Sequence, residues 1–225
     1  MSSKIIFVTG TDTGVGKTLL TALLLQHLRA SGCHALAMKP FCSGGRGDVE
    51  LLQSLQRGEI SDDEANPFYF SEPVAPLASL QKAKQKIRLD DVVKKIFDVE
   101  KKCDRLVVEG SGGLLVPLGE DFQVADLIAR LKPKVVVVGR NRLGTINHTL
   151  LTVEALRARG LRRISVVLMD DGKSDLSANT NRNILIGLAE SPVFVLPFLG
   201  RNLAQKTALK NSSKKIKKTL AQILM

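Results

Sequence analysis

Six short apolar runs punctuate the chain, at 5–8, 35–38, 105–109, 135–138, 164–169 and 193–195. They are close to continuously apolar, without the strict alternation expected of a strand with one wet face. Between them, apolar residues recur at helical spacing over 18–30, 49–56, 89–101, 124–131, 147–159 and 181–189. The runs predict strands covered on both faces, and the intervening period predicts helices. Strands alternating with helices through right-handed crossovers give a doubly wound α/β fold, a mostly parallel sheet with helices on both faces. Ile216, Leu220 and Ile223 predict a short terminal helix in the basic tail at about 203–225. No linker-like stretch divides residues 1–225, which are expected to form a single domain.

The polar residues that interrupt this pattern gather at strand ends. After the first run comes Gly10-Thr11-Asp12-Thr13-Gly14-Val15-Gly16-Lys17-Thr18, with a helical segment directly behind it. A strand, a glycine-rich turn and Gly-Lys-Thr opening a helix is the P-loop arrangement that cradles a nucleoside triphosphate. Gly14, Val15 and Gly16 would wrap backbone N–H groups around phosphate oxygens, and the helix start through Leu19 adds free donors. Lys17 would neutralise the outer phosphates, and Thr18 would offer its hydroxyl to Mg²⁺. Five residues separate Gly10 from Gly16, one more than the common spacing.

Ligands of such a sheet sit outside the carboxyl ends of its strands. Lys39, Pro40 and Ser43 follow the second run. Lys39 either stabilises charge on a transferring phosphoryl group or is a solvated lysine. Glu109 ends the third run ahead of Gly110-Ser111-Gly112-Gly113, where a carboxylate is placed to reach Mg²⁺ and glycine lets backbone approach a ligand closely. Asp48 is a second carboxylate, read equally as metal ligand or as helix N-cap. Leu143-Gly144-Thr145-Ile146-Asn147-His148 enters a helix, with Thr145 or Asn147 as its N-cap, and such a start either holds a carboxylate or is an ordinary cap. His27, His34 and His148 have no partner at metal-ligand spacing and read as structural.

Composition narrows the classes. The net charge of +11 invites a nucleic-acid partner, yet aromatics are only 4%, Trp is absent and Tyr69 is the sole tyrosine. A base-stacking platform is hard to build from that set, so nucleic acid is the minority reading and anionic small substrates the majority one. The charge is partly concentrated in the last twenty residues, in Lys206, Lys210, Lys214, Lys215, Lys217 and Lys218. Cys33, Cys42 and Cys103 form no CxxC pair, which suits a reducing cytoplasm and argues against zinc. No apolar run approaches the ~20 residues of a membrane span. The first strand begins at Ile5, which leaves no room for a cleaved leader and points to a cytoplasmic protein.

Four motifs in this order, GTDTGVGKT, MKPFCSG, VVEGSGGLLVPL and RLGTINHTLLT, make the chain similar to the dethiobiotin synthetases of the biotin pathway. The likeness runs from residue 7 to about 199. It implies an ATP- and Mg²⁺-dependent cyclo-ligase that takes 7,8-diaminononanoate and CO₂ to dethiobiotin, through a carbamic–phosphoric anhydride, with release of ADP and phosphate. It further implies that Lys17 and Lys39 flank the developing charge, and that Thr18, Asp48 and Glu109 hold the metal. Thr13 and Ser43 would meet the diamine or its carbamate. Gly110, Ser111 and Gly112 would lie along the nucleotide. The resemblance implies a homodimer whose helix start at Gly144, Thr145 and Asn147 binds the substrate carboxylate across the interface.

Two positions depart from the family pattern. Similar enzymes carry an asparagine after the fifth strand that reads the adenine edge, where this chain has Asp170 and Asp171. A carboxylate accepts from an amino group but donates to no ring nitrogen, which leaves base preference open. Pro197-Phe198-Leu199 resembles the base-contacting loop, and beyond it Asn202 and Ala204 lie where some members carry a ribose-binding acid. Three rival classes share the nucleotide loop. Partitioning and division-site switch ATPases carry a lysine early in KGGxGKT, where this chain has Asp12-Thr13-Gly14. Cobyric acid synthase-like amidotransferases need a glutaminase domain that 225 residues do not accommodate, and a nucleic-acid-binding NTPase rests on charge alone.

Overall fold

The structure is a computed structural model that describes residues 4–173, 175–200 and 206–225, with Lys206 described in its backbone only. In chain order the elements begin with β1 (Ile5–Gly10), α1 (Lys17–Ala30), β2 (Ala35–Met38), β3 (Phe41–Ser43), α2 (Gly47–Ser54) and α3 (Asp62–Ala65). Next come β4 (Phe68–Phe70), α4 (Pro76–Ala83), α5 (Leu89–Glu100), β5 (Arg105–Glu109), α6 (Val124–Leu131) and β6 (Lys134–Arg140). The chain continues with α7 (Thr145–Ala158), β7 (Ile164–Met169), α8 (Ala178–Leu188), β8 (Val193–Leu196), α9 (Lys206–Lys215) and α10 (Lys217–Leu224).

Six strands form one parallel sheet in the order β2-β5-β1-β6-β7-β8. Alternation within β1 explains the two layers. Ile5 and Phe7 face a core shared with α5, α6, α7 and α8, whereas Ile6 and Val8 face a core shared with α1, α2, α9 and α10. Each strand is apolar on both faces because each face is roofed by helices, which is why the runs read as continuous. α9 and α10 close the second layer by burying Leu209, Leu220 and Ile223. The tail residues 203–205, with Asn202 and Ala204, lie outside the described residues.

Register places the chemistry. Val8 pairs with Glu109, Met38 with Val108 and Gly10 with Val138, so the ends of β1, β2, β5 and β6 line up along one edge. β1 lies between β5 and β6, where the crossovers change direction, and the phosphate loop therefore sits at the switch point of the sheet.

The small elements differ from the sequence expectation. Phe41–Ser43 and Phe68–Phe70 pair as a separate two-stranded parallel sheet, with Phe41 and Phe68 stacked at 4.8 Å between ring centroids. Three-residue strands are too short to show a period, so they leave no pattern to read. α7 is capped by Gly144 at φ +91°, with no side-chain cap, so neither Thr145 nor Asn147 is the N-cap. Asp48 is not an N-cap either, because Arg46 holds that position and Asp48 lies inside the first turn of α2.

Candidate active site

The phosphate loop is built by two positive-φ glycines. Gly14 stands at φ +70° and Gly16 at φ +103°, both in the region that L side chains rarely adopt. Gly16 also lies against Met169, which would sit 3.2 Å from an added Cβ. From the neighbouring strand end, Arg140 donates through Nε and Nη2 to the Gly14 carbonyl at 3.2 and 2.9 Å. This clasp joins β6 to the loop over 126 residues of sequence, and no sequence signal announced it.

Four charged groups meet beside the loop. Thr18 Oγ1 and Lys39 Nζ both donate to Oε1 of Glu109 at 2.7 Å, and Lys39 Nζ also donates to Oδ2 of Asp48. Glu109 is fully buried, and its Oε2 has no hydrogen-bond partner among the described residues. Lys17 Nζ donates to the Asp12 carbonyl at 2.8 Å.

Burial lowers the Lys17 ammonium to about 8, against the opposing charge of Glu109. Burial acts in the same sense on Lys39, but Glu109 and Asp48 outweigh it and hold its pKa above the ordinary lysine value. Burial pushes the Glu109 carboxyl up, with the Lys39 ammonium working against it.

These groups line a cleft of about 590 Å³. Of the expected residues, Thr13, Gly14, Gly16, Lys17, Thr18 and Leu19 reach it from the loop and α1. Lys39, Ser43, Glu109, Ser111 and Gly112 reach it from the other strand ends, and Asp48 from the start of α2. Ser43 Oγ is buried without a partner among the described residues. Gly110 lies beneath the turn instead, against Phe7 and Val124, and Val15 is buried against Gly10.

The donor set suits a hard cation. A hydroxyl and two carboxylates are oxygen ligands of the kind Mg²⁺ takes, and the bare Glu109 Oε2 is a buried acceptor that a cation would satisfy. Among the described residues no group of three or more His, Cys, Asp or Glu could hold a metal.

A family model described as an AAA domain matches residues 4–199. The ATP-dependent dethiobiotin synthetase BioD of Bacillus licheniformis is 37% identical over 188 residues, covering 81% of this chain and 80% of that one. The enzyme of the same name from Bacillus subtilis is 34% identical over 210 residues, covering 90% of each. The chain belongs to the dethiobiotin synthetase family. A third relative with that name, from Methanocaldococcus jannaschii, is 40% identical and covers 72% of this chain and 78% of its own.

Solved structures agree on the fold. The MinC:MinD cell division protein complex of Aquifex aeolicus superposes with a TM-score of 0.64 at 14% identity, covering 98% of this chain and 95% of that one. The pNOB8 ParA bound to nonspecific DNA superposes with a TM-score of 0.60 at 12% identity, covering 100% and 99%. At that identity the likeness speaks for the P-loop α/β fold alone.

Other expected positions of this dethiobiotin synthetase family member lie outside the cleft. Asp170 follows β7, where its Oδ1 accepts from Nδ2 of Asn141 at 2.7 Å, and Asn141 Oδ1 accepts from Asn181 Nδ2 at 3.1 Å. Pro197, Phe198 and Leu199 follow β8, with Phe198 laid over Gly172. Gly144 and Asn147 are exposed and Thr145 is buried. Thr145 lines a small pocket of about 90 Å³ with Thr11, Thr13, Arg140, Arg142 and His148. His148 is exposed there, so packing does not account for it. His34 is a surface partner of Glu59, and His27 is buried, its pKa lowered by that burial.

Sequence reading missed one wall of the cleft. Pro73, Val74 and Ala75 line it from the segment ahead of α4, with Pro76 at the first position of that helix. Two prolines around two small residues are a signal of a stiff extended loop, and that signal was available.

Proposed function

We propose that the chain is an ATP-dependent dethiobiotin synthase that acts on 7,8-diaminononanoate and CO₂. The observation that carries this reading is the meeting of Lys17, Lys39, Thr18, Asp48 and Glu109 beside a P-loop in a member of this family. One amine of the substrate takes up CO₂ as a carbamate. A carbamate oxygen attacks the γ-phosphorus, ADP leaves, and the second amine attacks the anhydride carbon to close the ureido ring and expel phosphate. Phosphoryl transfer of this kind asks the protein mainly for position and charge.

Gly14, Val15, Gly16, Lys17, Thr18 and Leu19 hold the phosphates through backbone N–H groups and the Lys17 ammonium. Lys39 lies where it stabilises the carbamate and the oxygens of the transferring group. Thr13 and the unpartnered Ser43 hydroxyl bind the diamine or carbamate, an assignment supported by the bare Ser43 Oγ on the cleft wall. Thr18, Asp48 and Glu109 would hold Mg²⁺, which supplies charge neutralisation on the phosphates when bound. Ser111 and Gly112 border the nucleotide with Gly110 beneath them, and Asp170 with Pro197, Phe198 and Leu199 forms the base site.

Gly144, Thr145 and Asn147 bind the substrate carboxylate at the start of α7, across the interface of a homodimer. Exposed Leu151 on α7 and Leu188 on α8 support that association. Residues 1–225 act as one domain, in the cytoplasm. Among the described residues no helix is long and apolar enough to cross a membrane.

The test is incubation of the pure protein with 7,8-diaminononanoate, bicarbonate, Mg²⁺ and ATP, with CTP or GTP replacing ATP in parallel. Dethiobiotin found by mass spectrometry, with phosphate released in step, is the expected result. A folded protein that binds nucleotide but makes no product would refute it.

A further inference from the structure

The two carboxylates expected to hold the metal already hold a cation. Lys39 Nζ donates to Oε1 of Glu109 at 2.7 Å and to Oδ2 of Asp48, and the Thr18 hydroxyl donates to the same Oε1 at 2.7 Å. Carboxylates from α2 and β5 thus converge on one ammonium, and α1 reaches it only through the Thr18 bond to Glu109. Lys39 is 7% exposed and Glu109 not at all. Glu109 is dry and Asp48 half-exposed, and two carboxylates drawn this close repel unless positive charge lies between them. Lysine supplies that charge as a compact group on a flexible four-carbon stem, so it is able to withdraw without moving the backbone. Its three N–H groups only donate, and Oε2 of Glu109 is left bare by the arrangement.

We propose that Lys39 is the resident counter-cation of the metal site, displaced when a divalent cation takes the Asp48 and Glu109 oxygens. The inference rests on the reading that Thr18, Asp48 and Glu109 hold the metal. Its consequence is that one event both loads the site and frees Nζ to turn into the cleft, toward the Ser43 wall. Lysine and metal compete for the same oxygens, so removing the lysine strengthens metal binding. A lysine that merely helped to hold the metal site together would do the opposite.

Mn²⁺ is the probe, followed by its solution EPR signal in the full-length protein with and without ADP. Without nucleotide, Lys39→Met should bind Mn²⁺ about tenfold or more tightly than the unaltered protein. Equal or weaker binding overturns the displacement. Lys39→Met also strands a buried carboxylate and so puts the fold at risk. A second measurement therefore uses the unaltered chain. The ¹⁵N ammonium resonance of Lys39, assigned by its loss in Lys39→Arg, should shift or broaden in step with Mg²⁺ titration. A resonance that stays fixed while Mg²⁺ saturates the protein also overturns the proposal. Failure of the unaltered protein to bind Mn²⁺ even with ADP would remove the metal-site reading and this inference with it. Mn²⁺ binding that Lys39→Met does not tighten removes the displacement alone.

Discussion

Thr18 Oγ1 donates to Oε1 of Glu109 at 2.7 Å, joining the first turn of α1 to the last residue of β5. The bond ties the phosphate loop to the carboxylate beside it, across 91 residues of sequence. Glu109→Gln keeps an acceptor for Thr18 but removes the charge and puts a buried NH₂ where the bare Oε2 stands. Turnover is expected to fall about a hundredfold or more, with Mn²⁺ binding weakened. Stability should drop by only about 1–3 kcal/mol, the cost of one unsatisfied buried donor. Steady-state turnover with Mn²⁺ titration checks this, and activity within about threefold of normal would remove Glu109 from the metal site.

Lys17 makes stability depend on pH in a defined sense. Burial lowers its pKa to about 8 from the ordinary 10.5, so between those values the unfolded chain binds more protons than the folded one. Stability from this group therefore rises with pH across that window. Below about 8 the penalty of burying the ammonium is present in full, and above about 10.5 it is gone. The difference in unfolding free energy between the unaltered protein and Lys17→Met should climb by about 2–3 kcal/mol over the window. Urea unfolding without nucleotide at three pH values measures it. A flat difference would mean that Lys17 is solvated.

Asp170 is oriented by its neighbour. Asn141 Nδ2 donates to Asp170 Oδ1, and Asn141 is itself held by Asn181, so the network demands an acceptor at that point. The second Asp170 oxygen is then a fixed acceptor. In Asp170→Asn the amide oxygen must turn toward Asn141, which leaves the NH₂ outward and converts the outer group from acceptor to donor. The ratio of kcat/KM for ATP over GTP should rise about tenfold or more. An unchanged ratio would show that this position does not read the base.

The large elements were legible because each physical cause was local. The sheet strands pack under helices on both faces, fully buried in β1 and β7 and half-buried at the centre of β8, so each left an apolar run, and α5 shows Val92, Val93, Ile96 and Val99 at helical spacing. The phosphate loop was legible because its glycines are needed for positive φ within a few residues of Lys17. What escaped depends on distant pairs. Arg140 clasping Gly14 and Lys39 holding Glu109 join residues 126 and 70 positions apart, and neither arginine nor lysine carries a local mark of its partner. Asp48 shows the limit most plainly. A short acidic residue near a helix start reads equally as cap or metal ligand, and the contact with Lys39 shows where its carboxylate goes.

α7 and α8 carry an apolar surface. The two helices pack together, and each presents apolar side chains outward, with Leu151 at 58% and Leu188 at 57% exposure. Isolated exposed leucines need no explanation, but Leu143 at 82% and Ile184 at 41% belong to the same two-helix region. If this face joins two copies, a charge placed on it opposes itself across the two-fold axis. Leu151→Arg should therefore give a monomer by analytical ultracentrifugation, with circular dichroism unchanged because surface substitutions alter stability little. The α7 start lies in the same region, so the monomer should show a KM for the diamine raised about tenfold or more, with ATP binding retained. A variant that stays dimeric would move the interface elsewhere. A monomer with normal KM would place the whole substrate site within one chain, and the role of Gly144, Thr145 and Asn147 across an interface would be withdrawn.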